Sequence, residues 1–185
     1  MRLILVTGGA RSGKSAYAQH RARELGGDAV TVIATAVPGD EEMARRIARH
    51  RAERPPAWRT LEAASDAAAA LRAAETEVVV LECLTVLASN VLLAAGARDE
   101  EAAREVIAAE IERLLNAAAA RTGTLLVVTN EVGLGVVPPT AIGRWFRDAL
   151  GAANQRLSAA ADEVVFLVSG LPMVLKHLCS PSAAE

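Results

Sequence analysis

Continuous apolar runs rich in valine, isoleucine and leucine recur at 2–7, 30–34, 78–82, 124–129 and 163–168. They lack the apolar–polar alternation of a strand with one wet face, so they read as strands buried on both sides. Between them, segments 13–25, 40–52, 62–74, 84–95, 99–120 and 140–160 carry apolar positions at helical spacing. Strands alternating with helices predict an α/β fold with a mainly parallel sheet, whose ligand belongs at the carboxyl edge. The alanine-rich stretches 63–74 and 102–120 predict closely packed helices or subunit contacts. No repeat or Pro/Gly/Ser linker divides the chain, so one domain is expected over 1–179, with a frayed tail from Ser180 to Glu185.

The turn after the first strand narrows the chemistry. Gly8-Gly9-Ala10-Arg11-Ser12-Gly13-Lys14-Ser15 follows Leu3–Thr7 with the spacing G-x-x-x-x-G-K-[ST]. Gly8 and Gly13 leave room for backbone N–H groups to wrap a phosphate, and the next helix turns its positive end toward it. Lys14 supplies a mobile charge, and the Ser15 hydroxyl is a ligand for magnesium. The expected fold is therefore P-loop NTPase-like, of the RecA-like kind.

Composition limits the partners. With 185 residues, 52% of them apolar, the chain can bury a core unaided. A net charge of −2 and a pI near 6.0 give no global attraction to nucleic acid or anionic membrane, so any cationic site is local. Cys83 and Cys179 are too few for a disulfide framework, and no run reaches the ~18 apolar residues of a membrane span. No signal peptide is readable, and the cytoplasm is the expected compartment.

A second constellation lies at 40–56. This helix opens on Asp40-Glu41-Glu42, closes on Pro55-Pro56, and holds five arginines between 45 and 54. At 100° per residue Met43, Ile47 and His50 share a face, with Arg54 near it if the helix persists, so His50 looks inward. It is either a core-edge histidine or a nucleophile within a second anion site. Glu82 ends an apolar run where such sheets present a carboxylate to magnesium, directly or through water. Glu62 is either a salt-bridge partner of Arg51, Arg54 and Arg59 or a contact to ribose or guanine. Asn130-Glu131 follows the 124–129 strand at the same edge and is expected to help form a pocket. His20 and His177 read as structural.

These blocks resemble a known family. The phosphate loop, Ile33-Ala34-Thr35-Ala36, Arg46-Ile47 through His50-Arg51 to Arg54-Pro55, Trp58–Glu62, Leu81–Thr85 with Ser89-Asn90, Val128–Gly133 through Val137-Pro138, and Phe146–Asp148 with Asn154–Leu157 are similar, in order, to the bifunctional adenosylcobinamide kinase/adenosylcobinamide-phosphate guanylyltransferases of cobalamin biosynthesis. The resemblance implies phosphorylation of adenosylcobinamide with ATP or GTP. It also implies transfer of GMP from GTP, through a guanylylated histidine, to adenosylcobinamide phosphate, with magnesium as cofactor. The guanylylated histidine maps onto His50. Nucleotide contacts map onto Gly8 through Ser15, Ala34-Thr35-Ala36, Arg51-Ala52-Glu53-Arg54, Glu62 and Glu82, and the family implies a homo-oligomer, commonly a trimer. The alternative on the residues alone is a single-step P-loop kinase of another small metabolite, in which His50 and its arginines clamp a substrate phosphate.

Overall fold

The computed structural model describes residues 1–177, so the expected tail and Cys179 lie outside the described residues. The elements are β1 (Arg2–Gly8), α1 (Lys14–Gly26), β2 (Val30–Ala34), α2 (Glu41–Ala52), β3 (Arg59–Glu62), α3 (Ala67–Ala73), β4 (Val78–Glu82), α4 (Leu84–Ala95), α5 (Glu100–Ala119), β5 (Thr124–Val128), α6 (Ala141–Ala160), β6 (Glu163–Val168) and β7 (Leu171–His177). The strands form one sheet in the order β3-β2-β4-β5-β1-β6-β7, parallel throughout except for β7.

Because side chains alternate along a strand, each apolar run feeds two cores. Leu3, Leu5, Val79, Leu81, Leu125 and Val127 pack under α3, α4, α5 and α6. Ile4, Val6, Val78, Val80, Leu126 and Val128 meet α1 and Trp58, whose indole N–H donates to the Gly27 carbonyl. Helix α2 has no buried residue. No helix of the described residues is long and apolar enough to cross a membrane.

Two elements differ from expectation. The helix expected at 62–74 starts only at Ala67, capped by Asp66, because Arg59–Glu62 is strand β3 beside β2. Four residues with a charge at each end form a wet edge strand, which a search for apolar runs passes over. Strand β7 was also not expected. It returns antiparallel along β6 through Ser169-Gly170, both at positive φ (51° and 84°). A two-residue turn of that kind between apolar runs is a hairpin signal.

Candidate active site

The phosphate loop is built around residues that other side chains could not replace. Gly8 has φ 149°, and a Cβ there would lie 2.5 Å from the Leu167 carbonyl oxygen and 2.8 Å from Ser12 Oγ. Gly9 has nothing within 4 Å of that position. Gly8→Ala is therefore expected to lower unfolding free energy by about 2–3 kcal/mol in denaturant titration, and Gly9→Ala by under ~1 kcal/mol. Equal losses would mean that the backbone of the loop, rather than its packing on β6, sets the requirement. The hairpin closes on the loop from the other side, with Gly170 N–H donating to the Ser12 carbonyl at 2.9 Å.

Lys14, the first residue of α1, is buried and folds back across the loop. Its Nζ donates to the Gly9 carbonyl at 2.5 Å and lies 3.4 Å from Ser12 Oγ. Burial holds its ammonium below the ordinary lysine range, and the charge of Arg46 on α2 pushes the same way, against Cys83 and Glu131.

Strand register explains how distant sequence blocks meet. Glu62 pairs with Ala34, Ala34 with Glu82, Glu82 with Val128, and Val128 with Val6, so five strand ends form one row. With neighbouring strands ~4.8 Å apart, Glu82 is two strands, about 10 Å, from Val6, just before the phosphate loop. Helix α2 reaches this row through two side chains. His50 Nδ1 is 2.9 Å from Glu82 Oε1, and Arg54 donates from Nη2 to Glu82 Oε2 at 2.7 Å and from Nη1 to Thr60 Oγ1 at 3.1 Å. A carboxylate can only accept, so in the neutral imidazole Nδ1 carries the proton and the lone pair is on Nε2. The inward face expected for α2 is present, since only Met43, Ile47 and His50 on this helix are shielded from solvent.

The other expected site residues divide. Arg51, Ala52, Glu53 and Glu62 are exposed. The salt-bridge reading of Glu62 does not hold, because Arg54 goes to Glu82 and Arg59 to Glu75. Thr35 is fully buried, its hydroxyl donating toward the Glu82 and Cys83 carbonyls and accepting from Cys83 N–H, its backbone N–H donating to the Glu82 carbonyl and its own carbonyl accepting from Asn90, so the expected nucleotide contact at Thr35 is replaced by a structural role. Half-buried Ala34 and Ala36 flank it, and Ala10 and Arg11 lie at the exposed tip of the phosphate loop. His20 is exposed and sits beside Glu24, while His177 ends β7. Ser15 and Glu82 offer oxygen donors of the kind magnesium takes. Both Glu82 oxygens are occupied by His50 and Arg54, and no cluster of three acidic, cysteine or histidine ligands exists among the described residues. The donor set thus fits a cation completed by phosphate oxygens and water, with Glu82 acting through water.

A polar network at the ends of β1 and β5 was not anticipated beyond Asn130-Glu131. Thr7 donates to Glu131, Thr129 to the Asn154 side chain, and Asn154 to the Asn130 carbonyl and Glu131. The legible signal was a threonine closing three apolar runs, at Thr7, Thr35 and Thr129, all buried. Thr35 satisfies backbone groups freed where β4 ends, whereas Thr7 and Thr129 donate to the Glu131 and Asn154 side chains.

Comparison with known proteins agrees with this arrangement. The family model described as cobinamide kinase / cobinamide phosphate guanyltransferase matches residues 4–175. The chain belongs to this family. Two members named bifunctional adenosylcobalamin biosynthesis protein CobU, from Escherichia coli and Salmonella typhimurium, are each 43% identical over 184 residues, covering 94% of this chain and 99% of theirs. The protein named CobP from Pseudomonas aeruginosa is 43% identical over 175 residues, covering 93% and 96%. Among solved structures, an ATPase of the type III secretion system of pathogenic bacteria aligns with TM-score 0.55 at 15% identity, over 90% of this chain and 52% of that one. A KaiC-like protein from the archaeon Pyrococcus horikoshii aligns with TM-score 0.51 at 14% identity, over 100% and 83%. These two likenesses concern the fold alone. As a cobinamide kinase / cobinamide phosphate guanyltransferase, the chain carries the phosphate loop, α2 and the strand-end row all inside the matched region.

Proposed function

We propose that the chain phosphorylates the aminopropanol hydroxyl of adenosylcobinamide with ATP or GTP, and that it then passes GMP from GTP to adenosylcobinamide phosphate through His50. The observation that carries this reading is the His50–Glu82–Arg54 arrangement, which fixes one imidazole nitrogen and leaves the other as a nucleophile in the strand-end row that leads to the phosphate loop.

In the first activity the loop amides and Lys14 bind the triphosphate, and the substrate hydroxyl oxygen takes the γ-phosphoryl group, releasing the nucleoside diphosphate. In the second, His50 Nε2 attacks the α-phosphorus of GTP and pyrophosphate leaves. The imidazolium that forms is stabilised by Glu82, and a phosphate oxygen of the acceptor then displaces the histidine to give adenosylcobinamide-GDP. Magnesium, with Ser15 as a ligand and Glu82 through water, would neutralise phosphate charge when bound.

Incubation with labelled GTP alone, followed by quenching and adduct mapping, tests the reading. An acid-labile, base-stable adduct on His50 is expected. No adduct under conditions that sustain phosphorylation of the substrate would leave the single-step kinase. The cytoplasm, where both nucleotides are made, is the compartment that this reading assigns. Exposed apolar residues on β7 (Leu171, Met173, Val174, Leu175) and at Val136 and Val137 support a homo-oligomer.

A further inference from the structure

Between α2, α4, α6 and the segment after β2 lies an open cleft of about 330 Å³. Val37, Met43, Val86 and Phe146 give it apolar walls, and Ser89 and Asn90 give it a polar side. Asn90 donates both amide contacts to the Thr35 and Ala64 carbonyls at 2.9 Å, which leaves its carboxamide oxygen as the acceptor it can offer a ligand. Ser89 adds a hydroxyl. Of the residues that line this cleft only Ala36 belongs to the nucleotide constellation described above, and Met43 stands on the same face of α2 as His50.

We propose that this cleft is the acceptor subsite, and that it takes one edge of the corrin macrocycle. The inference rests on the reading of the acceptor as a cobinamide. Three properties point to that occupant. The walls match an amphiphilic ring edge that carries methyl groups and carboxamide arms, because a primary amide donates well to a carboxamide oxygen or a hydroxyl. The volume suits an edge and excludes burial of the whole macrocycle with its axial groups, so most of the ligand stays outside, as the open mouth of the cleft requires. The spacing fits the chemistry as well. Met43 and His50 are seven residues apart, ~10 Å along the helix axis. A propionamide–aminopropanol arm extends about 10 Å from the ring to its terminal oxygen or phosphorus, counted over roughly eight bonds. An acceptor seated against Met43 thus has an arm long enough to carry its phosphate out of the cleft and along α2 to His50.

Ser89→Trp, which fills the cleft, and Val37→Glu, an exposed substitution that leaves the core intact, test the assignment. Both variants are expected to form the GMP adduct from GTP alone at the wild-type rate. Both should raise KM for adenosylcobinamide and for its phosphate by at least about tenfold, because each blocks or charges the contact surface. Unchanged acceptor KM in both folded variants would overturn the subsite. Adduct formation from GTP alone that falls in parallel with acceptor use would also overturn it, by giving the cleft to the nucleotide base. If the wild-type protein itself forms no adduct and does not turn over cobinamide, the proposed function fails instead, an outcome separate from either of these.

Discussion

His50→Ala is expected to abolish the GMP adduct and to lower guanylyl transfer by about 10³-fold or more, while phosphorylation of adenosylcobinamide persists. The size follows from the loss of a covalent route, since no neighbouring group replaces an imidazole nucleophile. The selectivity follows from geometry. Among the contacts of the His50 ring is its 2.9 Å pairing with Glu82, and Glu82 keeps Arg54 when the ring is gone. Because α2 buries no residue, the truncation removes little packing, and melting temperature should change by only a few degrees. Labelled GTP with a rapid quench reads the first outcome, and product formation from adenosylcobinamide with ATP reads the second. An adduct that survives the substitution would move the nucleophile elsewhere. Loss of both activities in a folded variant would make His50 part of nucleotide binding as a whole.

Lys14→Ala should do the reverse for stability and for turnover. Kinase turnover is expected to fall by at least two to three orders of magnitude, because a positioned cation on the β- and γ-phosphates stabilises charge that develops in transfer. The folded protein should nonetheless be no less stable than wild type, since alanine favours the first turn of a helix and relieves a buried ammonium. The sign of the pH dependence follows from the same burial. With the folded-state pKa of Lys14 below its ordinary 10.5, folding carries the full desolvation cost at neutral pH, and that cost declines as pH rises from the folded value toward 10.5. Lys14→Ala therefore removes an alkaline stabilisation. In wild type, nucleotide affinity should weaken over the same window as the ammonium is lost. Near wild-type phosphorylation by the variant would contradict the role given to the loop.

The sequence was informative in proportion to how local each signal was. The phosphate loop, the doubly buried strands and the inward face of α2 follow from spacing within a dozen residues, and each is present in the structure. Strands β3 and β7 escaped because edge strands are short or wet and carry no buried run. The pairing of His50 and Arg54 with Glu82 joins positions about thirty residues apart, and only the register of β2, β3 and β4 brings them together. The burial of Thr35 was hidden for a related reason, since its hydroxyl serves the β4–α4 junction rather than its own loop. The cleft beside Met43 is built from the segment after β2 and from three helices, and no single stretch of sequence describes it.

Glu82 lies two residues beyond Val80 on the same side of β4, and Gly8 two beyond Val6 on β1, so site and core are written in one alternation. Inserting or deleting a single residue within β4 would swing the carboxylate to the opposite side of the sheet and drive a core side chain out into its place. A change of strand parity in β4 is therefore expected to remove activity and folding in the same event.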